Sequence, residues 1–123
     1  MTIDANIVIA YLGGDEVVIE TLSRWRQEGR PLLLPAIAET EVLSFSEWTD
    51  EERKATEQFI SENFTSIPFD RTLARIASVI RRQSKIKLPD ATLAATALFT
   101  HTPLVTRNVR DFKRISHLSI IQI

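Results

Sequence analysis

Three features of the sequence predict an α/β fold, a three-layer α/β/α sandwich around a mainly parallel sheet. Short apolar runs suited to buried strands recur along the chain, among them Leu32-Leu33-Leu34 and Leu104-Val105-Thr106. Stretches with helical spacing of apolar residues lie between them, several opened by a capping residue. Strand and helix alternate throughout, which implies a parallel sheet covered on both faces. The 3 Gly and 5 Pro are scattered, so no linker, repeat or tail interrupts the 123 residues, and one domain over 1–123 is expected.

Thr2 to Leu12 is rich in Ile and Val and reads as a buried strand, or as a short strand running into a helix; Gly13-Gly14 ends it. Asp15 is placed to cap a helix to about Glu28, with Val18, Leu22 and Trp25 on one face and Gly29 as its stop. Pro31 to Pro35 holds a short buried strand, and Ile37 to Phe45 has helical spacing. Thr49 and Glu52 form a capping box opening a helix to about Asn63. Phe64 to Phe69 is a strand candidate bounded by Pro68. Asp70 is placed to cap a helix through Lys85 that aligns Leu73, Ile76 and Ile80. Pro89-Asp90 starts an Ala/Leu-rich helix to about Phe99, and Leu104-Val105-Thr106 and Ser119 to Ile123 close the chain as strands.

Composition removes several function classes. With no Cys there is neither a disulfide scaffold nor thiol chemistry. The two histidines, His101 and His117, lack ligand spacing and read as surface or capping residues. No Gly-rich phosphate loop is present. The longest apolar runs fall far short of a membrane span, and the acid at position 4 argues against a signal peptide, so a cytoplasmic protein is expected.

The net charge of −1 hides a strong asymmetry: −2 over residues 1–38, −7 over 39–70 and +8 over 71–123. The last segment is a candidate surface for a polyanion.

Most acids have a plain structural role as helix openers or solvated side chains. Four do not. Asp4 lies inside Ile3-Asp4-Ala5-Asn6-Ile7, where a charge costs several kcal/mol unless it is paired or bound to a metal. At 100° per residue, Glu41 falls within the apolar arc of Ile37, Ala38, Val42 and Phe45, so it is expected to face inward while Glu39 and Glu47 face water. Asp90 falls on the inner face of its helix, with Thr92, Thr96 and Thr100 as the polar side. Asp111 follows the strand ending at Thr106 by the loop Arg107-Asn108-Val109-Arg110, and its default reading is a helix N-cap. In parallel sheets, ligands bind beyond the carboxyl ends of the strands, and all four acids are expected there. Carboxylates gathered in one place repel one another and raise their pKa values. A hard divalent cation such as Mg²⁺ removes that conflict and suits a pocket without Cys or His. Such sites activate water and neutralise charge on a phosphodiester.

The succession Ile-Asp-Ala-Asn-Ile at 3–7, Ala-Glu-Thr-Glu-Val-Leu at 38–43, Leu-Pro-Asp-Ala-Thr-Leu-Ala-Ala-Thr-Ala at 88–97 and Val-Thr-Arg-Asn-Val-Arg-Asp-Phe at 105–112 resembles a PIN domain. Within that family it is most similar to the VapC-type toxins of toxin–antitoxin pairs. The resemblance implies a Mg²⁺- or Mn²⁺-dependent endoribonuclease whose acidic quartet is Asp4, Glu41, Asp90 and Asp111. It also implies that Thr106 and Asn108 orient the acids and bound water, with Asn6 beside Asp4. A homodimer and neutralisation by a small VapB-like antitoxin protein are implied as well. Arg107, Arg110, Lys113 and Arg114 are the expected ligands of the RNA backbone, with Arg81, Arg82, Lys85 and Lys87 as further candidates. Two other readings stand beside this one: a PIN nuclease acting in RNA or DNA processing, and a non-catalytic module binding a metal or a partner. A receiver-type phosphoryl-transfer site is disfavoured, since Asp4-Ala5-Asn6 offers an amide where a second acid is wanted.

Overall fold

The computed structural model describes residues 1–123 as one five-stranded, wholly parallel sheet with seven helices. In chain order the elements are β1 (Thr2–Ile3), α1 (Ala5–Leu12), α2 (Glu16–Gln27), β2 (Leu33–Pro35), α3 (Ala36–Leu43), α4 (Asp50–Asn63) and β3 (Thr65–Ile67), followed by α5 (Arg71–Ser84), α6 (Leu88–Thr100), β4 (Leu104–Val105), α7 (Val109–Phe112) and β5 (Ile120–Ile121). The sheet order is β3-β2-β1-β4-β5, so β1 is central and its neighbour β4 comes from the far end of the chain. Thr2 pairs with Leu104 and Ile3 with Val105. The inner strands are buried on both faces: Thr2, Ile3, Leu34, Leu104 and Val105 are all closed to solvent. Edge strands β3 and β5 are partly exposed.

The open choice at the N-terminus resolves as a two-residue strand running into a helix. Although α1 is built from Ile, Val and Tyr, it coils, because Ala5, Ile7 and Val8 find core on one side. The caps stand where expected. Asp15 accepts from the Val18 amide, Asp70 from the Leu73 amide, and Thr49 and Glu52 complete a reciprocal box. Gly29, just past α2, has φ +74°, a conformation that a side chain would strain. His101 ends α6 in the left-handed conformation.

Two expectations fail. Thr92 and Thr96 are not a solvated polar side, because Ala91 through Ala97 are buried without a break. Their hydroxyls turn back on the helix, Thr92 to the Pro89 carbonyl (2.7 Å) and Thr96 to the Thr92 carbonyl (2.9 Å). With its polar groups satisfied internally, α6 packs against β1, β2 and β4 and against α3 and α5. Asp111 is not an N-cap, because it lies inside the short helix α7, which starts after Asn108.

No helix is long and apolar enough to cross a membrane.

Candidate active site

The chain leaves the carboxyl ends of β1, β2 and β4 directly into the candidate site. Asp4 follows β1, α3 follows β2, and Thr106 follows β4. Because β1 and β4 run in register, residues 4 and 106 come out side by side. The Asp4 amide donates to the Val105 carbonyl (3.0 Å), and the Thr106 hydroxyl donates to Asp4 Oδ2 (2.7 Å). Asp4 and Thr106 are buried.

The Thr106 oxygen also accepts from the Asn108 amide (3.0 Å) and from Asn6 Nδ2 (3.3 Å). Asn6 Nδ2 lies 3.4 Å from Asp4 Oδ2, and Asn6 Oδ1 accepts from the Arg107 amide (3.3 Å). Asn108 Nδ2 donates to Asp111 Oδ2 (2.6 Å). Five of the expected residues, Asp4, Asn6, Thr106, Asn108 and Asp111, thus form one connected network that orients two carboxylates, one buried and one exposed.

The other two acids join through charge rather than hydrogen bonds. Burial pushes the Asp4 carboxyl above the usual carboxylate range. The Thr106 hydroxyl and the amides of Ala5 and Asn6 bring it only part of the way back. Glu41 is raised by burial of its carboxyl and then by the charges of Asp4 and Asp90. Asp90 is raised by burial, then by Asp111 and Asp4, with Lys87 working in the opposite direction. The quartet therefore faces a shared space. Its members nevertheless stand apart, and no three acidic side chains converge as tightly as the ligands of a bound ion.

Glu41 departs from expectation in its exposure. The residue is open to solvent, whereas Glu39 is half-buried and lies 3.4 Å from the Ser66 hydroxyl. It is at the mouth of the cleft rather than inside it. The ring of Phe45, assigned to the inward arc, is 52% exposed because α3 has already ended at Leu43.

The expected basic ligands separate into two groups. Arg110 and Arg114 line a cleft of about 230 Å³ together with Lys85, Lys87, Asp90 and Asp111. Arg107 points elsewhere. Its guanidinium holds Asp15 at the start of α2 and the Ile123 carbonyl (3.0 Å). That pair joins residues 92 positions apart, and nothing local in the sequence signals it. Lys113 is exposed and does not line the cleft.

A feature absent from the sequence reading is an apolar groove of about 420 Å³ next to Glu41, lined by Ile9, Leu12, Val42, Phe45 and Trp48. Ile9 is 54% exposed. The available signal was the spacing of Ile9 and Leu12, three apart and therefore on one side of α1.

The PIN domain family model matches residues 1–118. The chain is 29% identical to Ribonuclease VapC1 of Rickettsia felis and 26% identical to Ribonuclease VapC of Rickettsia bellii, in each case over 100% of this chain and 96% of the relative. Among solved structures, a toxin–antitoxin complex from Klebsiella pneumoniae superposes with TM-score 0.82 at 26% identity, covering 98% of this chain and 94% of that one. VapBC2 from Rickettsia felis, bound to a DNA fragment from its promoter, superposes with TM-score 0.86 at 20% identity, covering 99% and 97%.

Proposed function

The chain belongs to the PIN-domain family, and from that premise we propose that residues 1–123 act as one nuclease domain, a divalent-metal-dependent endoribonuclease that is the toxin of a VapBC-type pair. The observation that carries this reading is the electrostatics of the cleft. Asp4, Glu41 and Asp90 all sit above the usual carboxylate range because they are desolvated, and Glu41 and Asp90 also feel other acids of the quartet. Folding has assembled negative charge at a cost to stability, and Lys85, Lys87, Arg110 and Arg114 line the same cleft as Asp90 and Asp111. Such an arrangement is of use to a ligand that brings positive charge.

The donor set fits a hard cation. It is all oxygen, without sulfur or imidazole, and the shared space relieves its repulsion only when positive charge enters. Asp4, Glu41, Asp90 and Asp111 would hold Mg²⁺, with Mn²⁺ as a substitute. The chemistry such a cation supplies is charge neutralisation at the phosphodiester and acidification of water. The chain's own groups do the rest. Thr106 fixes the rotamer of Asp4 through a 2.7 Å hydrogen bond, and Asn108 fixes Asp111. Asn6 ties the loop after β4 to the start of α1. Arg110 and Arg114 stand next to Asp90 and Asp111, where the backbone of an RNA strand would pass.

Partners follow the same reading. The solved relatives are toxin–antitoxin complexes, and a small VapB-like antitoxin is the proposed partner of this chain. The groove of Ile9, Leu12, Phe45 and Trp48 supports it, since it is apolar, exposed and open beside Glu41. A homodimer is also proposed. Val79 on α5 and Phe99 on α6 are exposed, and Val79 borders an apolar hollow with Ile76, Ile80 and Leu98. A cytoplasmic location goes with an RNA substrate.

The test is cleavage of a mixed structured RNA pool by the purified chain in Mg²⁺ or Mn²⁺ against EDTA, with Asp90→Asn beside the wild type. Metal-dependent cleavage lost in the variant is the expected result. Folded, antitoxin-free protein that cleaves nothing would turn the reading toward a module that only binds.

A further inference from the structure

The cations around the acids lie on one side. Arg81 and Arg82 on α5, Lys85 and Lys87 in the α5–α6 connection, Arg110 on α7 and Arg114 just after it are all exposed, and none is in an ion pair. The cleft that holds Asp90 and Asp111 is lined by four of them, Lys85, Lys87, Arg110 and Arg114. A second, open hollow lined by Arg81, Arg82, Lys85 and Lys87 continues it away from the acids, so Lys85 and Lys87 belong to both. The connection that carries them has a fixed shape: Lys85 is left-handed at φ 45°, and Arg81 Nε donates to the Ile86 carbonyl (3.2 Å).

The face beside Glu41 presents a carboxylate and apolar side chains rather than cations. It is built from Glu41, Val42, Phe45 and Trp48 of the segment of charge −7, together with Ile9 and Leu12 of α1. Of the two cations of that segment, Arg53 is engaged by Asp50 and Glu57, and Lys54 is exposed on α4 and lines neither the cleft nor the groove. Arg107 is held by Asp15.

Resting on the endoribonuclease reading, we propose that the RNA backbone is bound on one side of the acids only, along a track through Lys85 and Lys87 toward Arg81 and Arg82. The two lysines are the hinge of the track, because they are shared by the acidic cleft and the basic hollow. Phosphate contacts of this kind release counterions, so each lost cation flattens the dependence of log K on log salt by about 0.7 for a single strand.

The probe is fluorescein-labelled oligouridine, read by anisotropy in EDTA over a series of NaCl concentrations. Lys85→Gln/Lys87→Gln is expected to raise Kd roughly tenfold and to flatten the salt slope by about 1.4. Lys54→Gln, an equal kind of charge loss on exposed α4 surface, is expected to leave both as in the wild type. A double variant with wild-type Kd and slope overturns the track, as does a Lys54→Gln effect of equal size. If the wild type still cleaves RNA in that case, the endoribonuclease reading stands without the track. If the wild type neither binds oligouridine nor cleaves any RNA, both fall.

Discussion

Thr106 is a junction of the site, because one hydroxyl serves Asp4, Asn6 and the backbone of Asn108. Thr106→Val keeps its shape and removes all three bonds. It leaves the Asp4 carboxylate buried without its strongest donor, so a loss of about 1.5–3 kcal/mol in urea denaturation is expected. The carboxyl of Asp4 should move further up, carrying the acid limb of the pH–rate profile upward with it. Asp90 gives the opposite sign. Its folded pKa is raised, so the native state binds a proton more tightly than the unfolded chain. Its penalty is absent at low pH and grows as pH rises through the folded value. Asp90→Asn in metal-free buffer at neutral pH is therefore expected to raise Tm while cutting cleavage by about 10²–10³ or more. A variant that melts lower than wild type in EDTA would contradict this electrostatic account.

At the scale of elements, legibility followed local signals. Caps are written within a few residues, so the starts of α2, α4 and α5 were readable from Asp15, the Thr49/Glu52 pair and Asp70. Thr49→Ala is expected to cost about 1 kcal/mol, readable as a lower urea midpoint. Glu52 is held below the ordinary glutamate range by the Thr49 amide. Its contribution is present above that range and is lost as pH falls through the folded value, so Glu52→Gln should lose less stability on acidification than the wild type. The burial of α6 was not readable, because a threonine that bonds its own helix looks polar in sequence and behaves as filler in place. The helix has no room beside the sheet. Ala94→Leu is expected to destabilise by about 1–3 kcal/mol through overpacking. Glu41 was expected on the inward arc and is exposed, because its surroundings depend on where α3 ends, which periodicity does not specify.

Across the whole molecule, charge is sorted by surface rather than merely by sequence. The segment of +8 lines the cleft around Asp90 and Asp111, whereas the segment of −7 lines part of the apolar groove beside Glu41. The asymmetry was visible in the sequence, while the diversion of Arg107 to Asp15 was not, since it depends on tertiary closure. The same closure brings β4 against β1, and with it Thr106 against Asp4 across a separation of 102 residues. A nascent chain that has emerged only as far as α6 already carries Asp4, Glu41 and Asp90. It has no strand to pair with the open edge of β1 and no hydroxyl for Asp4. Synthesis is vectorial, and early segments fold first. The order of the sheet thus ties completion of the site to the segment from β4 onward: until that segment is made, Asp4 lacks the strand and the hydroxyl that hold it.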